Sequence, residues 1–85
     1  MKSILPVITG TWEALLNCAK DGVRVIYVEN CLYQGSSAAI TEKLSELGYA
    51  PAARQGKRGV FFLRIRGEHP FDPEKDTIHD PLDIL

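Results

Sequence analysis

Residues 60–66, Val60-Phe61-Phe62-Leu63-Arg64-Ile65-Arg66, admit little but a β-strand: aromatic and β-branched side chains fill the run and pass into alternation with arginine. The glycine-flanked segment Gln55-Gly56-Lys57-Arg58-Gly59 precedes it as a turn, and residues 49–54 read as a weaker strand before that. Residues 50–67 therefore predict a β-hairpin, and any fold must accommodate an antiparallel pair there. A second run, Val23-Arg24-Val25-Ile26-Tyr27-Val28, is nearly continuous β-branched and aromatic sequence and reads as a central strand covered on much of both faces.

Residues 4–8 form a short apolar strand interrupted by Pro6, and Pro51 interrupts the first hairpin strand. Proline cannot donate to a ladder, so both strands belong at sheet edges. Two helices fill the gaps. Thr11 is placed as an N-cap, Trp12, Leu15, Leu16 and Ala19 recur on one helical face, and Gly22 supplies the stop. Residues 29–35 read as a connecting loop. Ser36 or Ser37 then caps a second helix with Ala39, Ile40, Leu44 and Leu47 as its buried stripe and Gly48 at its end.

The order strand, helix, strand, helix, strand, strand predicts an α+β chain: a two-layer split βαβαββ sandwich with a mixed four-stranded sheet. Right-handed crossovers and edge prolines give the sheet order 1-2-4-3 and put both helices on one face. The element order over residues 4–66 resembles that of the Alba chromatin proteins, the C-terminal domain of the third bacterial initiation factor and the TusA-like sulfur carriers. The Cys-Pro-x-Pro of the sulfur carriers is absent, since Gly10-Thr11-Trp12-Glu13 stands at the corresponding helix start. The alternative architecture is a winged helix, with residues 37–49 as recognition helix and the hairpin as wing. It requires residues 23–28 to be helical, against their β-branched content.

Period-two alternation assigns the faces. Val23, Val25 and Tyr27, with Phe61, Leu63 and Ile65, are purely apolar sets expected beneath the helices. Arg24, Arg64 and Arg66 around Ile26, Val28 and Phe62 would then form an open, arginine-rimmed apolar face, larger than solvent exposure requires.

The net charge of -1 conceals a segregation. Arg54, Lys57, Arg58, Arg64 and Arg66 give residues 54–67 a charge of +5, half of the ten lysines and arginines in the chain, with no acid among them. Residues 68–85 hold Lys75 against Glu68, Asp72, Glu74, Asp76, Asp80 and Asp83. This asymmetry divides the chain into a compact domain over residues 1–67 and an acidic, proline-containing tail over residues 68–85, read as partly docked or disordered. Phe71, Ile78, Leu82, Ile84 and Leu85 are its candidate anchors. A tail of opposite charge would compete with an anionic ligand for the open face.

Lys57 and Arg58 at a glycine-flanked turn can reach phosphates, and Phe62 beside Arg64 and Arg66 suits base stacking. The expected function is a small RNA- or DNA-binding protein using Arg24, Arg54, Lys57, Arg58, Phe62, Arg64 and Arg66. The alternative is a non-catalytic adaptor or inhibitor engaging an acidic protein partner through the same face. A core drawn from about 67 residues is near the lower limit for independent folding, so a homodimer is an expected supplement.

Other chemistry is thinly represented. Cys31 lies between a strand end and a helix start, with no histidine near it in sequence, and reads as a buried, inert thiol. His69 and His79 have only tail carboxylates near them, at no metal-site spacing. Thr9-Gly10-Thr11 carries one glycine, far short of a phosphate-loop fingerprint. No acid, base and nucleophile set can be assembled, so no enzyme activity, cofactor or metal is expected. Cys18 and Cys31 without CxxC spacing, no signal-peptide pattern and no membrane-length apolar run lead to an expectation of a cytoplasmic protein without a membrane partner.

Overall fold

The structure is a computed structural model and describes residues 2–79. Its elements are β1 (Lys2–Ile4), β2 (Val7–Thr9), α1 (Trp12–Lys20), β3 (Val25–Glu29), α2 (Asn30–Glu46), β4 (Tyr49–Gln55), β5 (Gly59–Arg64) and β6 (Asp76–Ile78). The main sheet has the order β2-β3-β5-β4, with β2 and β3 parallel and the other neighbours antiparallel. This is the expected α+β sandwich with a mixed four-stranded sheet, its edges being β2, which follows Pro6, and β4, which contains Pro51. Extended backbone through Val25–Glu29 excludes the winged helix.

Local chemistry accounts for most element ends. The Thr11 hydroxyl accepts the Ala14 N–H at 3.2 Å and so caps α1. Pro6 divides the first predicted strand in two, because it cannot donate to a ladder: β2 stays in the main sheet and β1 leaves it. Residues 30–35 are helical rather than a loop, and Cys31, in the first turn of that helix, is exposed rather than buried. The Asn30 N–H, an otherwise orphaned group at a helix start, donates to the Arg58 carbonyl at 2.8 Å. The expected start of the second helix survives as a break within α2, where Ser36 adopts φ -146° and ψ 28°.

Leu15 and Ala19 of α1 and Ile40 and Leu44 of α2 pack with Ile26, Val28, Tyr49, Val60 and Phe62 into one buried cluster. Both helices therefore cover the face bearing Ile26, Val28 and Phe62, which corrects the expected assignment of faces. The arginines misled it. Arg64 follows Phe62 in the alternation but stands at the end of its strand, where the helix layer stops and carbonyls are exposed. An arginine there need not be buried with its apolar neighbours.

The opposite face is not bare. Val25, Tyr27 and Phe61 are fully buried on it, with Leu63 beside them and Ile4, Phe71 and Ile78 packed against them. Tyr27 and Phe61 are direct cross-strand partners with ring centroids 4.7 Å apart. Phe71 and Ile78 belong to the acidic tail, which through His79 folds back over the sheet. Its β6 pairs in parallel with β1, and its Phe71 N–H donates to the Arg64 carbonyl at 2.8 Å. The tail anchors expected at Leu82, Ile84 and Leu85 lie outside the described residues.

Tyr49 joins the start of β4 to the start of β3 by donating its hydroxyl to the Val23 carbonyl. Burial, the largest influence, raises the phenol above its ordinary value of 10.0, with Arg64 acting against this and Cys18 adding to it. The Cys18 thiol is raised above 9.0, first by burial and then by the charge of Asp21. Folding favours the neutral form of both groups. Their contribution is complete below the unfolded values and is lost as pH rises through the raised folded ones. Urea midpoints should therefore hold level to about pH 9 and fall above it. Tyr49→Phe should cost about 1 kcal/mol at neutral pH and flatten the alkaline fall; an unaltered fall would remove Tyr49 from its cause.

Candidate nucleic-acid interface

The residues expected to form one basic surface fall in several places. β5 carries the hairpin turn at one end and Arg64 at the other, so at about 3.3 Å per residue the two groups of cations are roughly 20 Å apart. Lys57 and Arg58 are exposed at the turn. The Arg54 side chain is outside the described structure.

The turn is fixed from three directions. The Gly56 N–H donates to the Gly59 carbonyl at 3.0 Å, and the Arg58 carbonyl accepts from Asn30 at the start of α2. The Arg58 N–H donates to the hydroxyl of buried Tyr27 at 2.9 Å. Tyr27 reaches that point by lying across Gly59, where a side chain would collide with its ring. Because β2 and β3 are parallel, α1 and α2 both begin at this end of the sheet, and their N-terminal dipoles add positive potential beside the two cations. Glu29 opposes them: its carboxylate lies against Gly10, near the α1 start.

At the far end of β5 the arginines serve the helices. Arg64 donates from Nη1 to the Gly22 carbonyl at 2.9 Å, just beyond α1, and from Nε to the Arg66 carbonyl at 3.2 Å. Arg66 donates to the Ser45 carbonyl in the last turn of α2. Each guanidinium thus satisfies a carbonyl at the negative end of a helix. Arg24 meets the tail, with its Nη1 3.6 Å from Oδ1 of Asp76.

Phe62 is 0% exposed and packs 6.1 Å, ring to ring, from Tyr33 under the helices. It cannot stack on a base without unfolding, and its expected role is corrected on that ground. The helix-capping roles had a weak signal in the sequence, since Arg64 ends the strand and Arg66 lies just beyond it. Asp76, which holds Arg24, was unmarked among the tail acids.

Among the described residues no helix is long and apolar enough to cross a membrane, and no group of three or more His, Cys, Asp or Glu is placed to hold a metal. No protein-family profile, curated protein or solved structure matches the chain.

Proposed function

We propose that this is a cytoplasmic, non-catalytic nucleic-acid-binding protein whose contact is the hairpin turn rather than the sheet. The observation that carries the reading is an exposed Lys57-Arg58 turn, held by backbone hydrogen bonds, beside the N-termini of both helices. A turn already held by its own backbone loses little freedom on meeting a phosphate. Phosphate contacts of this kind position a chain without reading sequence, so RNA and DNA are both accepted. The adaptor reading loses its surface, because the expected apolar face is covered by the helices and the opposite one by the tail.

Two or three cations make a weak site. On single strands a salt slope of about -1.4 to -2.1 is expected, a roughly 7- to 18-fold loss of affinity between 50 and 200 mM salt. Pairing two copies would double the contact. The β2 edge supports such a homodimer: Val7 and Ile8 are 40% and 43% exposed on an open strand, next to Leu5 at 64%. Sedimentation would show a dimer that Ile8→Lys dissociates.

Fluorescence anisotropy with single-stranded RNA and DNA tests the main reading. Lys57→Ala with Arg58→Ala should weaken binding about tenfold at low salt and leave the thermal transition in place. Equal affinity for the double variant, or binding indifferent to salt, would refute it.

A further inference from the structure

The other end of the sheet holds an open pocket of about 420 Å³ at the place where both helices terminate. That volume lies within the range of small-ligand sites, roughly 300–1,000 Å³. Lys20, Arg64 and Arg66 line it against a single acid, Glu46. Glu46 itself faces a cation, with its Oε2 3.6 Å from Nζ of Lys43. The lining is therefore positive in balance.

Helix C-termini ordinarily present free carbonyls, which would repel an anion. Here several of those acceptors are occupied. Gly22 accepts from Arg64, and Ser45 accepts from both Arg66 and the Gly48 N–H. Gly48 in turn accepts from the N–H groups of Ile65 and Arg66, at 2.8 and 3.2 Å. A guanidinium carries five donors, and these contacts use only part of each set.

Glycine shapes the walls. Gly22, Gly48 and Gly67 have φ of 75°, 93° and 94° and all line the pocket. A Cβ on Gly22 or Gly67 would stand 2.9 or 2.7 Å from a terminal nitrogen of Arg64. The Arg64 guanidinium is thus seated between two residues without side chains, already oriented before any ligand arrives. Helix capping explains why two arginines are here. Lys20, in the last turn of α1, answers the same helix-end charge, but helix-end chemistry does not explain the hollow the three cations share.

We propose that this pocket binds the phosphate monoester group of a small molecule. Such a group carries about -1.5 to -2 charges at pH 7 and three acceptor oxygens, which suits two guanidinia and an ammonium. The site is separate from the hairpin turn and does not depend on the function proposed for it.

Amide NMR titrations with inorganic phosphate, a nucleoside 5′-monophosphate and the corresponding unphosphorylated nucleoside provide the test. Both phosphates should shift the amides of Gly22, Gly48 and Gly67 saturably, and the nucleoside should not. Lys20→Glu, on an exposed helix end, should keep the native spectrum and weaken phosphate binding at least tenfold. The Lys57→Ala, Arg58→Ala double variant should bind phosphate as the parent does, which separates this site from the hairpin. Tighter binding of the nucleotide than of inorganic phosphate would assign further contacts to the rest of the ligand, and equal binding would confine recognition to the phosphate. Shifts spread evenly over the surface, the same shifts with chloride, or unchanged affinity in Lys20→Glu would overturn the proposal.

Discussion

Gly59→Ala should leave the chain largely unfolded at room temperature. A methyl there would fall far inside van der Waals contact with Cε1 of Tyr27 and the Val28 carbonyl oxygen, and 2.6 Å from Cδ1 of the same ring. Tyr27 cannot step aside, because it is 0% exposed and its ring packs at a tilt against Phe61. Nor can Val28, which lies in the central strand paired with β5. Ordinary overpacking costs about 1–3 kcal/mol, and a collision with both a buried ring and backbone should exceed that range. A domain this small starts near the low end of the roughly 5–15 kcal/mol typical of folded chains. Gly35→Ala is the control, since nothing lies within 4 Å of the added carbon. Circular dichroism and urea titration of the two variants should differ sharply; a native Gly59→Ala would contradict the packing of Tyr27 over the turn.

Gly59 also illustrates what could be read from the chain beforehand. Its place in a hairpin turn was legible from Gly56-Lys57-Arg58-Gly59 between two strand-like runs. The reason for glycine was not, because it depends on a ring thirty-two positions earlier in sequence. The same division holds elsewhere. Strand content in residues 25–28 and 59–64 follows from side-chain type, and sheet order follows from Pro6 and Pro51. These are properties of the residues themselves. The choice of face depends on where each helix ends, and Arg64 and Arg66 acquire their partners only when Gly22 and Ser45 arrive beside them. The five hairpin cations therefore marked a real concentration of charge in sequence but not a single surface in space. Tail docking was harder still. Asp76-Thr77-Ile78 is too short to be distinguished as a strand, and its pairing partner lies at the opposite end of the described chain.

Asp76→Ala should release that tail while leaving the main sheet intact. Asp76 is 9% exposed and holds two groups at once: Oδ1 lies 3.6 Å from Arg24, and Oδ2 accepts the Asp72 N–H at 2.9 Å. Its own N–H donates to the Asp72 carbonyl at 2.7 Å, closing the turn that delivers β6 to β1. Removing one member of a buried ion pair costs about 3–5 kcal/mol. The Arg24 side chain is 30% exposed and can be partly resolvated, so a smaller loss of about 1–3 kcal/mol is expected. Asp76→Asn keeps an acceptor for Asp72 and should lose less, which isolates the share due to charge. The loss should be local. Hydrogen exchange should accelerate at Phe71 and at His79, whose N–H groups bind Arg64 and Ile4, while the β3–β5 amides remain protected. The uncovered Val25, Tyr27 and Phe61 face should then bind a hydrophobic dye. In the nucleic-acid reading, release also frees Arg24. Arg24 stands beside Arg64, roughly 20 Å from the turn, so a strand long enough to reach both gains at most about one phosphate contact, severalfold at low salt and lost at high salt. The tail would thus restrain binding by holding one arginine, not by covering the hairpin. Uniform acceleration of exchange across both sheets would instead make Asp76 a determinant of the whole fold, and unchanged nucleic-acid affinity after selective release would end its regulatory role.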